Sequence, residues 1–96
     1  MKPSDALERH RAAVRSAAAR YRLANLRVFG SVARDADTGG SDLDVLVDPL
    51  PEATLFDLGG FQDEIEELLG VRVDVRTAGD LPAPIRDRVV SEAKPL

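Results

Sequence analysis

The sequence contains no cysteine, so neither a disulfide framework nor a thiolate metal site holds the chain together. No apolar run approaches the ~20 residues that a membrane-spanning helix requires. The opening stretch, Met1-Lys2-Pro3-Ser4-Asp5, lacks the apolar core of a secretory signal, and a cytoplasmic location away from any membrane is the expectation. Positive charge is missing from one long stretch: residues 35–71 hold eleven acidic residues and no lysine or arginine. Residues 1–34 are the reverse, with eight Lys/Arg against two acids, and residues 72–96 are nearly balanced at five against four. The net charge is −4, so the uniformly basic surface of a phosphate-backbone binder is excluded and no direct nucleic-acid partner is expected. Taken singly, most of these charges read as solvated surface. The acidic block is nevertheless the densest run of potential metal ligands.

What remains is enough for one small core. The chain has 96 residues, 44% of them hydrophobic, which predicts a single domain over residues 1–96 with no linker and no internal repeat. Leu7, His10, Val14, Ala17, Ala18 and Tyr21 recur at helical spacing and predict an amphipathic helix over 5–21, capped by Ser4 or Asp5. His10 falls on its apolar face as a packing residue, and the arginines between these positions read as a solvated stripe. A short strand is predicted over 26–29, one or two helical turns over 31–36, and a loop through Gly39-Gly40. The clearest strand is Asp42–Asp48, ended by Pro49 and Pro51. Thr54 opens a second long helix, with Leu55, Leu58, Phe61 or Gln62, Ile65, Leu68 and Leu69 facing inward. Gly70 ends it, and Gly59-Gly60 predict a weak or bent point within it. Val71–Thr77 alternates perfectly as a third strand, and a last helix runs over 84–93. The fold class expected is α/β (α+β): a small mixed sheet with helices packed on one side.

Strand alternation places Asp42, Asp44 and Asp48 on one face of the 42–48 strand and Leu43, Val45 and Val47 on the other. Asp42 and Asp44 stand about 6.6 Å apart along the backbone and can reach toward a common point. Two like charges so close are costly unless a cation sits between them, and a hard oxygen donor set suits Mg²⁺. Asp48, at the strand end, reads as structural. If the 71–77 strand lies beside this one, Asp74 shares the face as a third metal ligand and as the group that activates an attacking hydroxyl. Arg72 and Arg76 flank it, to hold phosphates or to pair with acids. The turn at Gly30-Ser31 allows close approach of a ligand and presents N–H groups at a helix start, which favours phosphate. Arg34, one turn on, either adds charge there or pairs with Asp35 or Asp37.

Gly30-Ser31, ten further residues and then Asp42-Leu43-Asp44 resembles the signature of the polymerase-beta-like nucleotidyltransferase superfamily. The local text Phe29-Gly30-Ser31-Val32-Ala33-Arg34 and Ser41-Asp42-Leu43-Asp44-Val45-Leu46-Val47 is similar to the minimal nucleotidyltransferases. The similarity extends through Leu68–Asp74 and the Ile85–Ala93 helix. The resemblance implies the fold of that superfamily, with Asp42, Asp44 and Asp74 as ligands of two Mg²⁺ ions. It implies ATP as substrate, with Gly30 and Ser31 as binders of its phosphates; Arg34 and Ser41 are further candidates beside the nucleotide. Proteins of this kind act as antitoxins that transfer AMP to a tyrosine hydroxyl of a HEPN-domain ribonuclease toxin, with which a hetero-oligomer is expected. No acceptor-holding domain accompanies the 96 residues, which favours a protein partner that brings its own hydroxyl. Two alternatives stand beside this: a non-catalytic module that masks the toxin sterically, and transfer to a small molecule or an RNA end.

Overall fold

The computed structural model describes all of residues 1–96, and the expected order of helices and strands is present with two additions. The elements are α1 (Pro3–Arg20), β1 (Leu23–Phe29), α2 (Gly30–Ala33), β2 (Leu43–Pro49), α3 (Leu55–Leu69), β3 (Val73–Arg76), a 3₁₀ turn (Ala78–Asp80), α4 (Ala83–Glu92) and β4 (Lys94–Pro95). The 3₁₀ turn and β4 are the additions. No helix is long and apolar enough to cross a membrane.

Helix α1 starts earlier than its periodicity predicts and is not capped by Ser4 or Asp5. Lys2 occupies the cap position without a side-chain bond, and Pro3 opens the helix, where its missing N–H costs nothing. The Ser4 N–H instead donates to Asp37 Oδ2 at 2.9 Å, so the cap comes from the loop after α2. His10 is half-buried as expected, and the helix kinks there, with φ −124° and ψ 20°.

Strand β1 begins three residues before the expected Leu26. Its register against β2 slips between Ala24 and Arg27, and Asn25 has a left-handed φ of 52°. This bulge breaks the two-residue alternation and hides the first half of the strand from a periodicity reading. Helix α2 is a single turn, shorter than expected, because Asp35 turns left-handed at φ 54°.

The sheet order is β3-β2-β1-β4, with β1 antiparallel to β2 and β4, and β2 parallel to β3. Leu43, Val45 and Val47 of β2 pack with Val14, Ala17 and Ala18 of α1 and Phe61 and Ile65 of α3. The expected layer of helices is therefore α1 with α3. On the opposite face Leu46 meets Leu81 and Val89, so α4 covers part of the side that the carboxylates share.

Helix α3 has a complete capping box between Thr54 and Asp57, and Gly70 closes it at φ 69°. It runs unbroken through Gly59-Gly60; the expected weak point is instead a crossing point. A Cβ on Gly60 would lie 2.7 Å from the Tyr21 ring. Leu55 does not face inward but is 83% exposed, since at 3.6 residues per turn it lies about 120° around the helix from Phe61. The outer edge of β3 is closed by α3, whose Glu66 and Gln62 side chains accept the N–H groups of Val73 and Val75 at 2.9 and 3.1 Å. That protects an edge otherwise open to pairing with another chain.

Candidate active site

Strand β1 delivers the chain to Gly30 beside the start of β2, where Phe29 pairs with Asp44. Gly30 has φ 68°, and a Cβ there would overlap Asp44 Oδ2. The turn thus accepts only glycine, for its left-handed backbone and for the carboxylate lying against it. Ser31 follows at the head of α2, half-buried. With four residues, α2 has little macrodipole, so any anion preference here rests on the turn's own N–H groups and the Ser31 hydroxyl.

On its other side β2 carries β3 in parallel register, with Asp44 opposite Asp74, the pairing the sequence reading required. Asp74 is bonded by Arg76, whose Nε donates to both carboxylate oxygens at 3.1 and 3.2 Å. Arg72 Nε lies 4.0 Å from Asp42 Oδ1. The open question about the two arginines thus resolves toward an acid for Arg76, while Arg72 makes only a long contact. Arg34 bonds Glu92 of α4 at 3.1 Å, not Asp35 or Asp37. Asp37 caps α1, as above. Ser41 closes its own loop, its Oγ accepting the Thr38 N–H at 2.8 Å. Asp48 is structural, accepting from Asn25 at 2.9 Å and Arg27 at 2.6 Å.

Asp44 is the electrostatic centre of the cluster. Burial pushes its carboxyl up to about 6, and the charges of Asp74 and then Asp42 push the same way, partly offset by Arg76 and Arg34. The ionised form is therefore held at a cost that a cation among the carboxylates would remove. Three carboxylates of this kind fit a hard divalent cation such as Mg²⁺. The backbone positions are in place, but no three acidic side chains close around one point; Asp74 is turned to Arg76.

Sequence reasoning did not find Glu92 as the partner of Arg34 or α4 as a wall beside the site. Neither leaves a local signal, since each depends on where the last helix docks. It also gave Gly39-Gly40 no role beyond a loop, although these residues border a cavity that reaches Asp42.

A family model described as a nucleotidyltransferase domain matches residues 7–96. A protein of Methanocaldococcus jannaschii, assigned as a protein adenylyltransferase, is 39% identical over 66 residues, 69% of this chain and 71% of that protein. A solved structure described as a minimal nucleotidyltransferase superposes with a TM-score of 0.86 at 42% identity, covering 97% of this chain and 95% of that one. A toxin–antitoxin structure with AMP-PNP superposes at 0.73 over 88% of this chain and 69% of that one. At 16% identity this last likeness concerns the fold alone. The family model leaves only the first six residues unmatched, and on that extent this chain belongs to the nucleotidyltransferase domain family.

Proposed function

We propose that this chain is a Mg²⁺-dependent protein adenylyltransferase that moves AMP from ATP to a tyrosine hydroxyl of a HEPN-domain ribonuclease. By blocking the ribonuclease it serves as a cytoplasmic antitoxin. The observation that carries the reading is the parallel pairing of Asp44 with Asp74 beside the Gly30 turn. It brings Asp44, Asp74 and the Gly30 turn together on adjoining strands, which supports reading them as metal donors, base and phosphate site. The assignment of the 39%-identical relative as a protein adenylyltransferase supports AMP as the group and protein as the acceptor. The toxin–antitoxin relationship of a structural neighbour supports the class of partner.

In this mechanism Asp42, Asp44 and Asp74 would hold two Mg²⁺ ions, which would supply charge neutralisation on the triphosphate and favour ionisation of the acceptor. Gly30 leaves room for the Asp44 carboxylate beside the turn, and Ser31 donates to the phosphates. Arg34 adds charge at their far end. Asp74 accepts the proton of the incoming hydroxyl. The hydroxyl oxygen bonds to the α-phosphorus as the bond from that phosphorus to the bridging oxygen breaks. Pyrophosphate leaves with the electron pair, and the acceptor retains AMP.

Incubating the chain with ATP, Mg²⁺ and a candidate HEPN-domain ribonuclease tests this by intact mass. The expected result is an acceptor heavier by AMP, lost in Asp42→Asn. Full neutralisation of the ribonuclease by Asp42→Asn with no mass change would overturn catalysis in favour of steric masking.

A further inference from the structure

Two lead-in segments, residues 39–42 before β2 and 70–72 before β3, come together where the parallel pair begins. The Leu43 N–H donates to the Arg72 carbonyl at 2.8 Å, and beyond that bond the segments part. Between them lies a cavity of about 300 Å³, at the lower end of the range of ligand clefts. Gly40, Ser41 and Asp42 line one side and Gly70, Val71 and Arg72 the other, with Met1 and Leu69 of α3 also on the lining. Gly70 is a glycine because it caps α3 in a left-handed conformation. Gly39 and Gly40 have no such reason. Neither has a left-handed φ, and a Cβ on either meets nothing within 4 Å. The protein's own packing would admit side chains there; their absence keeps backbone and space open to something else.

The position of the cleft says what. The Gly30 turn lies on the β1 side of Asp44, and Asp74 lies on the β3 side. The cleft lies between the starts of β2 and β3, with Asp42 and Arg72 among the residues that line it. In an in-line displacement the acceptor approaches the α-phosphorus from the side opposite the departing pyrophosphate. With the triphosphate on the Gly30 side, the acceptor arrives from the cleft side. Arg72 is 86% exposed, its nearest carboxylate being Asp42 at 4.0 Å, and so offers a planar cation to an aromatic ring.

We infer that this cleft seats the peptide segment of the acceptor protein that carries the reacting phenol, with the ring against Arg72. This rests on the adenylyltransferase reading above and adds where the acceptor docks. Gly39→Phe and Gly40→Phe each add a ring to the cleft's lining, at positions where a Cβ meets nothing within 4 Å. Each is compared with the unmodified chain in two assays: AMP transfer at saturating ATP across a range of HEPN-partner concentrations, and AMP-PNP affinity by calorimetry in Mg²⁺. The expected result is an apparent KM for the partner raised about tenfold or more, with AMP-PNP affinity unchanged. A parallel loss of AMP-PNP affinity would make the cleft a nucleoside pocket and overturn the inference. An unchanged KM in both variants, with melting curves intact, would overturn it equally. Absence of transfer by the unmodified chain would bring down the adenylyltransferase reading itself, and the inference with it.

Discussion

At Gly30 a backbone requirement and a steric one fall on the same residue, since φ is 68° and a Cβ would overlap Asp44 Oδ2. Gly30→Ala therefore carries about 1–2 kcal/mol of left-handed strain and also pushes Asp44 out of place. A melting temperature lowered by several degrees is expected, together with loss of AMP transfer by about 10²-fold. An alanine variant that keeps full transfer would show that Asp44 tolerates displacement. Asp44 itself predicts the opposite sign for stability. It faces Asp74 across the strand pair and is disfavoured as a charge by burial first and by its acidic neighbours second. In EDTA at pH 8, Asp44→Asn removes the like-charge contact and should raise the melting temperature, while abolishing AMP transfer in Mg²⁺. A fall in melting temperature would mean that the carboxylate is structural. The shared face of Asp42 and Asp44 was legible from residue spacing, because a strand's two-residue period fixes which side chains share a face. The partners that hold Asp74 and Arg34, which are Arg76 and Glu92, were not, since side-chain pairing depends on rotamer and on helix docking.

Helix α3 gives a sharper comparison at the scale of an element, because its two adjacent glycines face different surroundings. Gly59 has open space where a Cβ would stand, and Gly60 has the Tyr21 ring. That ring has little freedom to yield: it packs edge-on against Phe61 at 6.4 Å between centroids, and its hydroxyl donates to Glu64 at 3.1 Å. Gly59→Ala should stabilise by about 0.5–1 kcal/mol, and Gly60→Ala should destabilise by about 1–3 kcal/mol through overpacking. Urea denaturation of the pair reads both signs. The sequence could show that two glycines interrupt a helix pattern, but the reason for one of them lies at the end of another helix. Helix α1 teaches the same lesson. Its cap is Asp37, 33 positions from the Ser4 N–H that it accepts, beyond any local cap signal. Burial pushes the Asp37 carboxyl up, but its hydrogen bonds with Ser4 and the charge of Lys2 outweigh this and hold it below the ordinary value of 3.8. A depressed folded value means that the stabilisation is complete above the ordinary value and is lost as pH falls through the lower one. Asp37→Ala should cost about 1 kcal/mol at pH 7, and the gap from the unmodified chain should close on acidification below pH about 4. A gap independent of pH would assign the loss to packing.

Across the whole molecule, the basic block of residues 1–34 and the acidic block of 35–71 are separated in sequence but meet in space. Arg20 pairs with Glu64, Arg22 with Asp57 and Arg27 with Asp48. Exposed pairs of this kind contribute about 0–1 kcal/mol each, so they align the two halves more than they hold them. What binds the ends is burial. Leu96 sits in the main core at 6% exposure, its N–H donating to the Leu26 carbonyl at 3.0 Å, while its own carbonyl accepts from Arg15 of α1. This closes β1 with β4 and joins positions 81 residues apart. Periodicity gave no hint of it, since two residues of strand carry no pattern. Leu96→Ala should therefore act like a core truncation, costing about 2–3 kcal/mol, a large part of the ~5–10 kcal/mol that holds a domain of this size. Urea titration should show a lower midpoint with an unchanged slope. Transfer per folded molecule should stay intact, because Leu96 pairs with the middle of β1 and touches none of Gly30, Asp44 or Asp74. A substitution that leaves the midpoint within experimental error would show that β4 adds nothing to the core, and that the three-stranded sheet of β1, β2 and β3 suffices to carry the site.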